Sequence, residues 1–136
     1  MKMNKFFISA LLGAISVMLG AFAAHGLKSL VPADQITSFN IGTKYQLIHS
    51  VLLLLVSIVS VKYPHKLLNQ AFYAVFTGIL LFSGSIYLLT TREIIGLHSY
   101  KWLVPLTPIG GLLIITGWIL LALWGYKYYS IFSKNT

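Results

Sequence analysis

The side chains best equipped for chemistry lie in Tyr45-Gln46-Leu47-Ile48-His49-Ser50, which runs without a break into Val51-Leu52-Leu53-Leu54-Leu55-Val56. On an α-helix Tyr45 and His49 are four residues apart and Gln46 and His49 three, so all three side chains share one surface. A phenol, a primary amide and an imidazole at the mouth of a membrane helix need partners, because lipid supplies none. Other polar groups are expected at the same level. His25 ends the first apolar run, His98 lies in a loop, and Thr107-Pro108-Ile109-Gly110-Gly111 opens the last run. The Gly110-Gly111 pair removes side chains, so a backbone or a ligand has room to approach. The candidate ligand-binding set is therefore His25, Tyr45, Gln46, His49, Thr107, Pro108, Gly110 and Gly111, gathered at the outer end of a bundle.

Several chemistries suit such a set. A histidine pair on different helices can hold a haem axially, and His and Tyr can hydrogen-bond a quinone head group. A tetrahedral metal site needs three or four placed ligands, and His25, His49 and His98 have no motif spacing, so no metal and no cofactor is assigned. The alternative is structural: His49, Gln46 and Tyr45 satisfy one another and the broken backbone near Pro108. Cysteine is absent, which removes disulfides, thiolate metal sites and cysteine nucleophiles. The chain's two acids, Asp34 and Glu93, fall outside the apolar runs. Ion pathways usually carry ionisable groups inside the spans. A proton-coupled exporter resembling the small multidrug-resistance transporters would want a carboxylate in its first span. The transporter alternative thus rests on an oligomer using His49. There is no Gly-x-Ser-x-Gly, no His-Glu-x-x-His and no intramembrane acid–base pair, so no catalytic residue is named and no enzyme is expected.

The elements that must position these groups follow from composition. Of 136 residues, 57% are hydrophobic and 9% charged, too few charges to cover a soluble domain. The mean hydropathy of +0.84 points the same way. The expectation is an all-α fold, a single transmembrane domain (1–136) built as a four-helix bundle with spans near 6–24, 41–61, 70–91 and 105–125. A secretory signal is the competing account of the first run, with Ala21-Phe22-Ala23 as cleavage site, but nineteen apolar residues are long for one. Along that run Ser9, Gly13, Ser16, Gly20 and Ala24 form a stripe of small residues, and Ala74 and Gly78 make a small-xxx-small pair in the third. Such seams let helices approach closely in lipid. Gly26 suits a left-handed C-terminal cap. Pro32 followed by Asp34 can start a helix, and Ile36, Phe39 and Thr43 suggest a short amphipathic helix over 33–44, either lying at the interface or leading straight into the second span with Gly42 as a bend. Pro64 ends that span. Pro108 suits a helix start with Thr107 as its cap. Tyr126, Tyr128 and Tyr129 supply an aromatic belt.

Four spans put both termini on one side. That side carries Lys2, Lys5, Lys62, Lys66, Lys127 and Lys134, against Lys28, Lys44, Arg92 and Lys101 on the other. The positive-inside rule places both termini in the cytoplasm. The net charge of +8 comes from single Lys and Arg residues between apolar runs, which suits anionic lipid and not nucleic acid.

With these residues in place, the chain resembles the YgdD/YwdK-like family of small bacterial inner-membrane proteins, a domain of unknown function. The resemblance rests on Gly20-Ala21-Phe22-Ala23-Ala24-His25-Gly26-Leu27, on Tyr45-Gln46-x-x-His49, and on Thr107-Pro108-Ile109-Gly110-Gly111 with Gly117-Trp118. The family's usual first motif has Gly where Ala23 stands. The resemblance implies four transmembrane helices in a bacterial plasma membrane and similarity to a small eukaryotic transmembrane family. It implies no activity or ligand. The leading expectation is a non-enzymatic accessory, assembly or interaction subunit, in contact with the lipid bilayer and forming a homo-oligomer or part of a larger membrane complex. The alternatives are a small-ligand or redox-cofactor binder at the outer cluster and a small oligomeric transporter.

Overall fold

A computed structural model describes residues 4–128 and Ser133. Lys2, Tyr129 and Lys134 lie outside the described residues. The chain forms four long helices: α1 (Lys5–His25), α2 (Ala33–Lys62), α3 (Lys66–Thr91) and α4 (Leu106–Lys127). All four are long and apolar enough to cross a membrane. Two single 3₁₀ turns, Leu27–Ser29 and Lys101–Leu103, sit in the connections. Packing follows chain order: α1 lies on α2, α2 on α3 and α3 on α4. Lys5 at the start of α1 bonds Asn69 on α3, and the His65 ring before α3 meets that of Tyr128 after α4, so both ends of the described chain lie beside the α2–α3 turn.

One apolar core takes side chains from every helix: Leu12, Leu53, Val56, Leu68, Phe72, Val75, Ile79 and Trp124. A second, smaller one at the opposite end joins Ala23, Leu27 and Phe39. Asn4 caps α1 by accepting from the Phe7 N–H, and the Nδ1 of His65 caps α3 by accepting from the Leu67 N–H.

Three local expectations are corrected. Gly26 is right-handed (φ −83°), and the chain passes through it into the 3₁₀ turn. Its lack of a side chain serves packing, since a methyl group there would stand 2.8 Å from the Phe22 ring. Gly42 does not interrupt α2, which is continuous from Ala33 to Lys62. Residues 33–44 are thus the opening of the second span, held by burial of Phe39, Gly42 and Thr43. Thr107 is not a cap. Pro105 precedes the first helical residue, so Thr107 and Pro108 already lie in the first turn of α4. Proline is tolerated there because the first four N–H groups of a helix have no partner within it.

Candidate functional site

Gln46 is the hinge between three helices. Its side-chain N–H donates to the Leu12 carbonyl of α1 at 2.8 Å, and its Oε1 accepts from the Tyr87 hydroxyl of α3 at 2.9 Å. Both ends of the amide are used while the residue is only 4% exposed. The polarity that lipid would penalise is returned to the protein.

His49, one turn further on, is buried as well. Its Nε2 accepts from the indole N–H of Trp118 on α4 at 3.2 Å. An accepting Nε2 is unprotonated, so the ring proton sits on Nδ1, which is 2.7 Å from the Tyr45 carbonyl. Both ring nitrogens are therefore engaged in a neutral tautomer. The Tyr45 ring stacks on the imidazole at 5.8 Å and also meets Phe82. Tyr45 itself is half-exposed on the outside of the bundle.

The depth of the cluster differs from the sequence expectation. His49 lies about 20 Å along α2 from Lys62, and Trp118 about 18 Å from Leu106 along α4. The pair stands near mid-depth and not at the outer mouth. The cause is the earlier start of α2, which sinks His49 into the helix.

The other candidates are placed elsewhere. His25 and His98 are exposed at the end away from Lys5 and Tyr128 and take no part in the cluster. Thr107 bonds Ser85 at 2.6 Å and helps line an open cavity of about 390 Å³ with Asp34, Gln35, Ser38, Thr90 and Arg92. Pro108 is exposed beside it. Gly110 meets backbone and no open site: a methyl group on it would stand 2.8 Å from the Gly78 carbonyl and from the Phe82 Cα. Gly111 sits in ordinary contact with the Phe82 ring. Among the described residues no three His, Asp or Glu side chains are grouped as metal ligands, and no buried side-chain N or O lacks a partner.

The packing residues divide in the same way. Ser9 and Ser16 are buried, and a methyl group on Gly13 would sit 3.2 Å from the Ser50 hydroxyl, so this half of the α1 stripe faces α2. Nothing lies within 4 Å of such a methyl group on Gly20, and Ala24 is exposed; Ala23 is buried in its stead. On α3, Gly78 is buried against Gly110 and Ile114, with Ala74 half-buried one turn before it. Sequence reasoning missed Tyr87 and Trp118 as partners. It also missed Gly117, whose absent side chain admits Val75 and the Ala71 carbonyl. The Gly-Trp pair at 117–118 was visible as a motif, but its partners on α2 and α3 were not.

The comparisons with known proteins agree with this architecture. Residues 19–111 match the family described as "Protein of unknown function (DUF423)". A UPF0382 membrane protein of Staphylococcus aureus is 37% identical over 87% of this chain and 94% of its own length. One from Haemophilus influenzae is 36% identical over 96% of this chain and 100% of its own. The UPF0382 membrane protein YwdK of Bacillus subtilis is 34% identical over 87% and 95%. No solved structure matches the chain. With four apolar helices of spanning length and relatives of this kind along nearly its whole length, the chain belongs to the DUF423 family of membrane proteins of unknown function.

Proposed function

We propose that the protein is a non-enzymatic interaction or assembly subunit of the bacterial plasma membrane, with both termini in the cytoplasm. One observation carries this reading. The polar groups inside the bundle are spent on one another, while the small surface of α1 around Gly20 and Ala24 is left open beside exposed Val17 and Met18. An open strip of small residues is what a second helix needs in order to approach in lipid. The cofactor alternative asks for a free ring nitrogen at His49, and both are engaged. The cytoplasmic side is supported by Lys5, Lys62, Lys66 and Lys127 at the end that holds both termini.

The test is the native mass of the protein extracted in mild detergent, beside Gly20→Leu. The wild type is expected to run as an oligomer or with a second polypeptide, and the leucine variant to lose that association with its unfolding midpoint unchanged. A wild-type protein that is monomeric, and that Gly20→Leu leaves the same, overturns the reading.

A further inference from the structure

The same end of the molecule holds a cavity that the polar cluster does not use. Lys5, Ser60, Pro64, His65, Lys66 and Asn69 line a volume of about 410 Å³, open to the outside. It shares Pro64 and His65 with a second hollow of about 330 Å³, lined also by Lys62, Tyr63, Trp124 and Tyr128. Both fall within the size of ordinary small-ligand sites.

The polar lining has one chemical character. Asn69 uses its carbonyl oxygen to accept from Lys5 Nζ at 2.6 Å, which leaves its NH₂ group as a donor. His65 uses Nδ1 to accept from the Leu67 N–H at 3.1 Å, so the remaining ring nitrogen carries the proton and is a donor. The Ser60 hydroxyl gives its proton to the Val56 carbonyl. Lys5 and Lys66 are cations. Lys5 is held in place by Asn69 and by the Phe72 and Tyr73 rings, 5.0 and 5.4 Å from its Nζ. Among the described residues no carboxylate competes, because the two acidic side chains, Asp34 and Glu93, both lie at the opposite end. Two cations and two fixed donors outweigh the one Ser60 hydroxyl oxygen and suit an anion that only accepts hydrogen bonds.

The surroundings choose the source of that anion. Lys5 and Lys66 begin spans, Lys62 ends one, and Tyr63, Trp124 and Tyr128 form the aromatic layer typical of the membrane–water boundary. Phe6 and Val61, next in sequence to Lys5 and to Ser60, are exposed apolar side chains. A phosphate diester carrying acyl chains meets both requirements, charge in the cavity and chains along the helices.

We propose that the cavity among Lys5, Ser60, His65, Lys66 and Asn69 holds the phosphate of an anionic phospholipid. The site rests on membrane insertion of the helices and is independent of the assembly role.

The experiment is lipid binding to the full-length protein, read by native mass spectrometry with phosphatidylglycerol and phosphatidylcholine of the same chains. Phosphatidylglycerol is expected to bind about tenfold more tightly, in line with the attraction of a few lysines for anionic lipid. Lys5→Gln/Lys66→Gln should lose that preference, while Lys28→Gln/Lys101→Gln at the other end keeps it. Lys66→Gln alone, which spares the Lys5–Asn69 bond, should lower the preference severalfold, so a misfolded double variant leaves the test intact. Equal binding of the two lipids by the wild type overturns the proposal, as does an undiminished preference in Lys66→Gln and the double variant. Displacement of the lipid by millimolar glycerol phosphate overturns it also, since the ligand would then be a soluble anion.

Discussion

The two halves of the bundle are joined by different means. Between α1, α2 and the C-terminal half of α3 the joints are polar. Ser16 donates to the Thr43 carbonyl at 2.7 Å, Ser83 to the Gly42 carbonyl at 2.8 Å, and Gln46 links Leu12 to Tyr87. Between α3 and α4 the joint is steric. Gly78, Gly110 and Gly117 let the helices meet backbone to backbone, and the Ser85–Thr107 bond closes only the end where α4 begins. Polar joints in a membrane are individually weak, because an unfolded helix also finds partners for its polar groups. A glycine seam tolerates no addition, since a methyl group meets carbonyl oxygens and Cα atoms that cannot swing away. The contrast locates the fragility of the fold in α3–α4 and its tolerance in α1–α2.

The largest expected effect tests the steric half. Gly110→Ala should cost about 3 kcal/mol in reversible unfolding from mixed micelles, at the upper end for overpacking. Gly20→Ala, at an open position, should lie within about 0.5 kcal/mol of the wild type. Equal costs at the two positions would break the comparison. Next is Gln46→Leu, which strands the Tyr87 hydroxyl and leaves the Leu12 carbonyl with its helical bond alone. A loss of about 1.5 kcal/mol is expected in the same assay. Third, a double-mutant cycle of His49→Ala with Trp118→Phe should return a coupling near 0.6 kcal/mol, the common value for such bonds in lipid. A coupling of zero would mean that the indole and imidazole do not meet. The smallest effect belongs to Ser16→Ala, about 0.5 kcal/mol by the same unfolding measurement, because Thr43 is left with only a spare carbonyl lone pair.

Much of the fold was legible because four apolar runs of spanning length leave few alternatives. Whether residues 33–44 join the second span was left open, since Ala33-Asp34-Gln35-Ile36-Thr37-Ser38 is polar on average and is drawn into the helix by what Phe39 packs against, namely Tyr87, Leu27 and Ala23. A span taken to start near residue 41 is also why the His49 cluster was assigned to the mouth of the helix. The spacing of Tyr45 and His49 agrees with their stacked rings, but Gln46 turns to α1 and α3, because periodicity says nothing of register between helices. Tyr87 and Trp118 were invisible as partners for that reason. The same limit split the α1 stripe: spacing groups Gly20 with Ser9 and Ser16, but the path of α2 across α1 buries Ala23 and passes Gly20 by.

The arrangement of bonds around Gln46 bears on how the chain is made. Synthesis delivers the N-terminal segments first. When α2 enters the bilayer, α1 is already present, and the amide N–H can be satisfied at once by the Leu12 carbonyl. Its oxygen waits only for the next helix, because Tyr87 arrives with α3. The His49 ring nitrogen that accepts from Trp118 waits until α4. Each polar atom in the cluster is closed by a successive arrival, and neighbours in sequence are neighbours in space. Assembly can proceed as a zipper from the N-terminus with short loop closures, and the last tooth to engage is an indole N–H.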